Sequence, residues 1–217
     1  MRRHGGFVKV SRLALPVAVL FGIGCSDAVA PGAIQGPNQE LSGYEVSWSA
    51  MPTDIHLLRQ AARAPALETY QVAFWARRDR PSYVAVNYVN GDPFLRFYIP
   101  KDGIKSTLED RNIDARDSVR ITVTIDPQTF AADFQPQGLQ FDKRHPASLY
   151  FWYEHAEQDC NGDGVVDDAD RAILSQLSMF RRPTAPSQWQ KVISELTQGL
   201  PLVYTEMKHF SIYAVSW

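Results

Sequence analysis

From Tyr70 onward, apolar and polar residues alternate with a period of two in one short segment after another. The clearest case is residues 119–125. Val119, Ile121, Val123 and Ile125 fall on one side, and Arg120, Thr122 and Thr124 fall on the other. Successive side chains of a strand point to opposite faces, so this pattern fits a half-buried strand. The β-branched residues suit that conformation as well. Val72, Phe74 and Ala76 alternate in the same way, as do Val84, Val86 and Tyr88. Asn90-Gly91-Asp92-Pro93 then supplies a turn before a strand at residues 94–99. Further strands are expected at 130–134, 138–142, 148–153, 190–194, 202–207 and 211–215. Short strands punctuated by Gly, Pro, Asn and Asp predict a mainly β protein, an antiparallel β-sandwich, and not alternating α/β units. One short helix is expected at residues 53–64, capped by Thr53 and stopped before Pro65.

Composition narrows the class. The 217 residues are 45% hydrophobic and 21% charged, which argues against disorder and against a polytopic membrane protein. Arg2, Arg3, Lys9 and Arg12 precede an uncharged apolar stretch at residues 13–24 that is too short to span a bilayer, the form of a signal peptide at residues 1–24. Two processing sites compete. Ala28-Val29-Ala30 has the small-x-small form of an ordinary cleavage site but is followed by Pro31. Ile23-Gly24-Cys25 resembles the end of a bacterial lipobox, although Gly22 departs from its usual Leu. Lipidation would place the anchor on Cys25, with Ser26 next to it resembling the outer-membrane sorting choice. Without the four leader cations the balance is 22 − 4 = 18 Lys and Arg against 24 Asp and Glu, about −6, so a nucleic-acid partner is not expected. Residues 25–44 read as a flexible tether and 45–217 as the sandwich domain. Cys25 and Cys160 are the two cysteines, so no disulfide framework is expected.

The stretch at residues 159–170 is the most informative. Asp159, Asn161, Asp163, Asp167 and Asp170 place side-chain oxygens at loop positions 1, 3, 5, 9 and 12. Gly164 stands at position 6, and Val165 at position 7 offers its carbonyl. This spacing wraps a chain around one hard cation, and calcium suits a flexible, carboxylate-rich loop better than magnesium does. Four of the positions are carboxylates, whose mutual repulsion is expected to couple metal binding to local folding. Ala169, Ile173, Leu177 and Phe180 form a helical stripe downstream, with Asp167 and Asp168 at the favourable end of its dipole. Upstream a strand replaces the entering helix of an EF-hand. The loop with its exiting helix resembles the calcium-binding half-hand of dockerin modules. A dockerin carries two such segments, and here one covers residues 159–180, so the resemblance implies an ion site and not scaffold docking. Cys160 should point away from the ion, and His4, His56, His145, His155 and His209 show no metal-ligand spacing.

Residues 134–141 (FQPQGLQF), Pro146-Ala147-Ser148-Leu149 and the terminal His209-Phe210-Ser211-Ile212-Tyr213-Ala214-Val215 resemble the ZU-type β-sandwich of zonula-occludens proteins, netrin receptors and ankyrins. Residues 74–217 also resemble a group of bacterial exported proteins that join this sandwich to the acidic loop. The resemblance implies a jelly-roll-like fold with the calcium segment inserted between two late strands. Some ZU relatives are similar at His-Phe-Ser and cut themselves there, which implies attack of the Ser211 hydroxyl on the Phe210 carbonyl with His209 taking the proton. Phe210, Ile212 and Ala214 also alternate as inward strand residues would, and packing alone explains them. No phosphate loop, nucleophile elbow or His-Glu-x-x-His is present, and Glu109-Asp110 would face opposite sides of a strand. Arg77, Arg78 and Arg80 read as a solvated turn. Trp48, Trp75, Trp152, Trp189 and Trp217 include a possible carbohydrate platform but read first as core or rim. The expectation is a non-catalytic, lipid-tethered envelope domain that binds calcium and presents a surface to an envelope protein or a glycan. The runner-up is an exported autoprocessing domain, and a secreted hydrolase built from dispersed residues ranks third.

Overall fold

The computed structural model describes residues 55–107, 111–183 and 188–217, all within one compact unit. The leader, Cys25, the tether, Trp48, Thr53 and Glu109-Asp110 lie outside the described residues. Two antiparallel sheets dominate. The first runs in the order β1 (Gln71–Arg77), β5 (Ser118–Ile125), β6 (Ala131–Gln135), β13 (Ile212–Ser216), β9 (Ser178–Arg182), β10 (Gln190–Lys191). The second runs β11 (Ser194–Leu196), β12 (Leu202–Met207), β8 (Ala147–Trp152), β3 (Pro93–Ile99), β2 (Ser82–Asn87). A two-stranded ribbon pairs β4 (Ile104–Ser106) with β7 (Gln140–Phe141). The inner faces of the two sheets share one apolar cluster. Phe94 stacks on Phe130 and Phe97 lies against Phe134, ring centroids 5.3 and 5.2 Å apart, which joins β3 of one sheet to the β6 region of the other. Such rings dominate core energetics because each removes a large apolar area from water.

The alternation read from the sequence holds in detail. Ile121, Val123 and Ile125 are buried while Thr122 and Thr124 are half-exposed. Gly91 takes a φ of +93° in the β2–β3 turn, a conformation that strains any residue with a Cβ. Three expectations are corrected. Residues 55–64 form no helix. They run extended, bridging Leu57 to Ser216, Arg59 to Thr129 and Gln60 to Ala156, because burying Leu58 against the sandwich outweighs a weak helical pattern. The strand expected at 190–194 is split between the two sheets as β10 and β11. The stripe from Ala169 to Phe180 is not one helix either. Helix α1 (Asp168–Leu174) ends where Ser175 Oγ and Gln176 Nε2 both donate to the Ala172 carbonyl, and Phe180 then belongs to β9. The short β4 went unforeseen.

β13 occupies the middle of the six-stranded sheet and is buried along its whole length. Tyr213 and Val215 face the main core, whereas Ile212 and Ala214 face a second cluster with Trp189 on the outer side of the sheet. Phe210 also packs in the main core, so the expected inward set of Phe210, Ile212 and Ala214 is divided between faces. The bend at Ser211 breaks the alternation.

Candidate metal centre

The acidic loop leaves β8 and reaches α1 before β9 begins. Two contacts fix its root: Glu157 N–H donates to the Arg59 carbonyl, and Gln158 Nε2 to the Ala156 carbonyl. His155 is engaged elsewhere. Its Nε2 lies 2.7 Å from Asp92 Oδ2, and its ring meets Tyr88 edge-on. That contact, together with Asn90, holds the Asp92 carboxyl below its usual range.

Within the loop, backbone N–H groups turn toward the carboxylates. Asp159 accepts from Gly162 and Asp163 through Oδ1, at 2.8 and 3.2 Å, and from Gly164 through Oδ2, at 2.8 Å. Asn161 Oδ1 accepts from Asp163, and Asp163 Oδ1 from Val165, both at 2.9 Å. Asp170 closes the ring. Its Oδ1 accepts from Cys160 and Asn161, at 2.8 and 3.2 Å, and its Oδ2 from Asp167, at 2.9 Å. Asp167 is the N-cap of α1 and forms a reciprocal capping box with Asp170. Gly162 and Gly164 take φ of +75° and +85° with open space around the missing Cβ, so the backbone conformation and not crowding calls for glycine.

The electrostatics follow from these bonds. The Asp170 side chain is fully buried, yet the N–H of Asp167, followed by those of Asn161 and Cys160, holds its carboxyl below the usual range despite the opposing cost of burial. The Cys160 thiol is pushed up by burial and then by Asp170, Glu157 and Asp159, and its Sγ donates to the Glu157 carbonyl. It is a protonated thiol held by a backbone carbonyl at the root of the loop. Backbone donors thus neutralise part of the repulsion that the sequence left to an ion alone.

Among the described residues no group of three or more His, Cys, Asp or Glu side chains gathers as a metal-binding cluster. The loop's donor set is mixed, however, since it counts the Asn161 amide oxygen and the Val165 carbonyl beside the carboxylates. An ionised carboxylate has about four acceptor sites, so Asp163, Asp167 and even Asp159, with three bonds, keep capacity for a cation. Asn161, Asp163, Val165 and Asp167 are exposed, whereas Asp159 is half-buried and Asp170 fully buried. An all-oxygen loop of this kind fits a calcium-sized ion by its chemistry.

The second candidate is assembled differently. Ser211 is fully buried, and its hydroxyl donates to the Ile212 carbonyl at 3.2 Å. The His209 carbonyl accepts from the Tyr213 hydroxyl at 2.9 Å. Burial, then Arg181 and Lys208, lowers the His209 pKa. The basic turn is structural in part: Arg77 pairs with Asp79, and Arg78 donates to the Ile113 carbonyl. A polar row in the outer face of the first sheet was missed. Asp133, Ile212 and Arg182 are successive register partners across three strands, and both charged residues are buried, with Arg182 over the Trp189 ring. One Asp inside the apolar run of β6 was the available signal. Comparison with family models, with curated proteins and with solved structures gave no match for this chain.

Proposed function

We propose that this chain is an exported β-sandwich of ZU-like type, tethered by lipid at Cys25, that takes one calcium ion in its acidic loop and binds a partner in the envelope without catalysing a reaction. Asp159, Asn161, Asp163, the Val165 carbonyl, Asp167 and Asp170 would hold the ion. The observation that carries this reading is the winding of the loop: position 1 takes three consecutive backbone donors, and position 12 reaches back to the loop's start. Calcium would supply the positive charge that the exposed carboxylates still lack, stiffening the loop and the first turn of α1. Titration calorimetry with calcium tests it. Exported loops of this kind bind on the order of 0.1–1 mM. Wild type should saturate in that range and Asp159→Ala should not, with the sheet signal in circular dichroism unchanged. Equal heats from both proteins would refute the assignment. Labelled palmitate should enter wild type and not Cys25→Ala, and equal labelling would refute the tether.

Self-cleavage between Phe210 and Ser211 has one supporting contact, the Gly138 N–H donated to the Phe210 carbonyl at 3.2 Å. Against it stands the Ser211 hydroxyl, which is turned to Ile212. Intact mass after denaturation decides, because cleavage would release a heptapeptide.

A further inference from the structure

The two sheets treat their outer faces differently. The outer face of the six-stranded sheet is covered around β13 by Trp189, Ile55 and Leu57. Among the described residues, the outer face of the five-stranded sheet carries half-buried aromatic rings. Tyr204, Tyr150 and Arg96 are register partners on β12, β8 and β3, and Trp152 stands two residues from Tyr150 on the same face. Ring centroids are 4.8 Å apart between Tyr204 and Tyr150 and 6.0 Å between Tyr150 and Trp152, with interplanar tilts of 30° and 32°. Arg96 lies over Trp152. Farther along, Tyr83 and Tyr98 pair at 60% and 39% exposure. Packing within this sandwich does not need these rings, because Leu149, Phe151, Val203 and Phe97 already fill the inner face of the same strands. Large aromatics left half in water on rigid strands mark a binding surface, since they give contact area at small entropic cost.

Tyr204 also lines a cavity of about 610 Å³ where β11 and β12 meet the edge of the other sheet at β9 and β10. Arg181, Lys191, Lys208 and His209 line it too, against Glu195 and Glu206. The charges are sorted. Glu195 is the register partner of Tyr204 and Glu206 stands two residues beyond it on β12, whereas Arg181 is the register partner of Tyr213 on β13 and Lys208 precedes His209. Arg181 donates through Nη2 to Gln190, while its Nη1 is shielded from solvent and has no hydrogen-bond partner among the described residues. Arg181, Lys191 and Lys208 outnumber Glu195 and Glu206 around the cavity, and this local excess of cations favours an anionic guest.

We propose that this surface binds an anionic polysaccharide, with sugar rings lying across Tyr204, Tyr150 and Trp152 and a carboxylate or sulfate of the chain entering the cavity beside Arg181 and Lys208. Sugar rings offer apolar C–H faces to the aromatics, and their hydroxyls meet Glu195, Glu206 and the tyrosine hydroxyls. A protein partner would prefer an apolar centre, and here Arg96, Glu195 and Glu206 are register neighbours of the central rings. The inference deepens the binding role proposed above but does not draw on the calcium loop. Calorimetry and affinity electrophoresis of the full chain with polygalacturonate, heparin and neutral amylose test it, each in calcium and in chelator.

Wild type should bind at least one of the two acidic polymers, and amylose much more weakly. Tyr150→Ala and Tyr204→Ala should each weaken binding about tenfold or more, with melting temperatures near wild type, while Tyr150→Phe stays within about twofold. Arg181→Gln should weaken it severalfold and flatten its salt dependence. Unchanged affinity in both alanine variants, equal affinity for amylose, or no binding to either acidic polymer at millimolar sugar would overturn the proposal. Polymer binding that persists in chelator beside a flat calcium titration would sink the metal reading and leave this one standing. Calcium binding without polymer binding would do the reverse.

Discussion

The loop at residues 159–170 and the turn into β13 are both short and both carry side chains suited to chemistry, but their surroundings are opposite. In the loop Asp163 and Asp167 accept backbone N–H groups in an exposed segment that the buried Asp170 closes at its end. At the turn, Phe210 is inserted among Phe97, Phe134 and Phe141, and Ser211 is closed off behind it. Polar residues spaced along an exposed loop keep acceptors for a ligand. Polar residues beside a core anchor are consumed by the fold. The same contrast divides two aspartates: backbone donors lower the Asp170 pKa, whereas burial is the largest influence on Asp133 and raises its pKa against the opposing pull of Gln135 and Arg182.

The largest effect expected from breaking this contrast is at the turn. Phe210→Ala should cost about 3–5 kcal/mol through lost contacts and a cavity. For a domain of this size that lowers the thermal midpoint by roughly 10 °C. A loss under about 1 kcal/mol would mean the ring is not the anchor described, since exposed sites usually change stability by less than that. Next comes Asp170→Ala in chelator. It should accelerate amide exchange at Cys160, Asn161 and Asp167 by about an order of magnitude and leave β13 amides protected, because loops open locally without the core. Equal acceleration in β13 would show that loop and sandwich unfold together. The Asp170 contribution is present above the ordinary aspartate value of about 3.9 and is lost as pH falls through the lower folded value.

The smallest effect sharpens the pairing of the two aspartates. With the Asp133 pKa raised in the fold, its ionised form is penalised above that folded value and the penalty vanishes below the unfolded one. Asp133→Asn should therefore raise the melting temperature at pH 7, and the gain should shrink as the pH drops below about 4. A difference independent of pH would assign the effect to packing.

Much of the sandwich was legible because its strands alternate cleanly. β5, β1 and β2 followed from period two. The extended course of residues 55–64 was not legible, because its reason is a groove made by strands distant in sequence. The end of α1 was hidden for a related cause: Phe180 fits a helical stripe, yet register with Ala214 on β13 claims it for a strand. At the loop, the positions of the oxygens could be read, whereas their engagement by backbone donors depends on turn geometry that spacing does not encode. The aromatic row was visible only in part: Tyr150 and Trp152 lie two residues apart on one strand, whereas Tyr204 joins them only through strand pairing.

The place of β13 has a kinetic consequence. It lies between β6 and β9 in space but follows both in sequence. As the chain is made, β1, β5 and β6 can pair early, and β6 then presents an unpaired apolar edge for as long as the later strand is missing. Contacts of such long sequence separation close slowly, and an open edge invites pairing with another chain. Newly made copies would benefit from a holdase during that interval, and substitutions that delay the docking of β13 should surface first as inclusion bodies rather than as weaker binding.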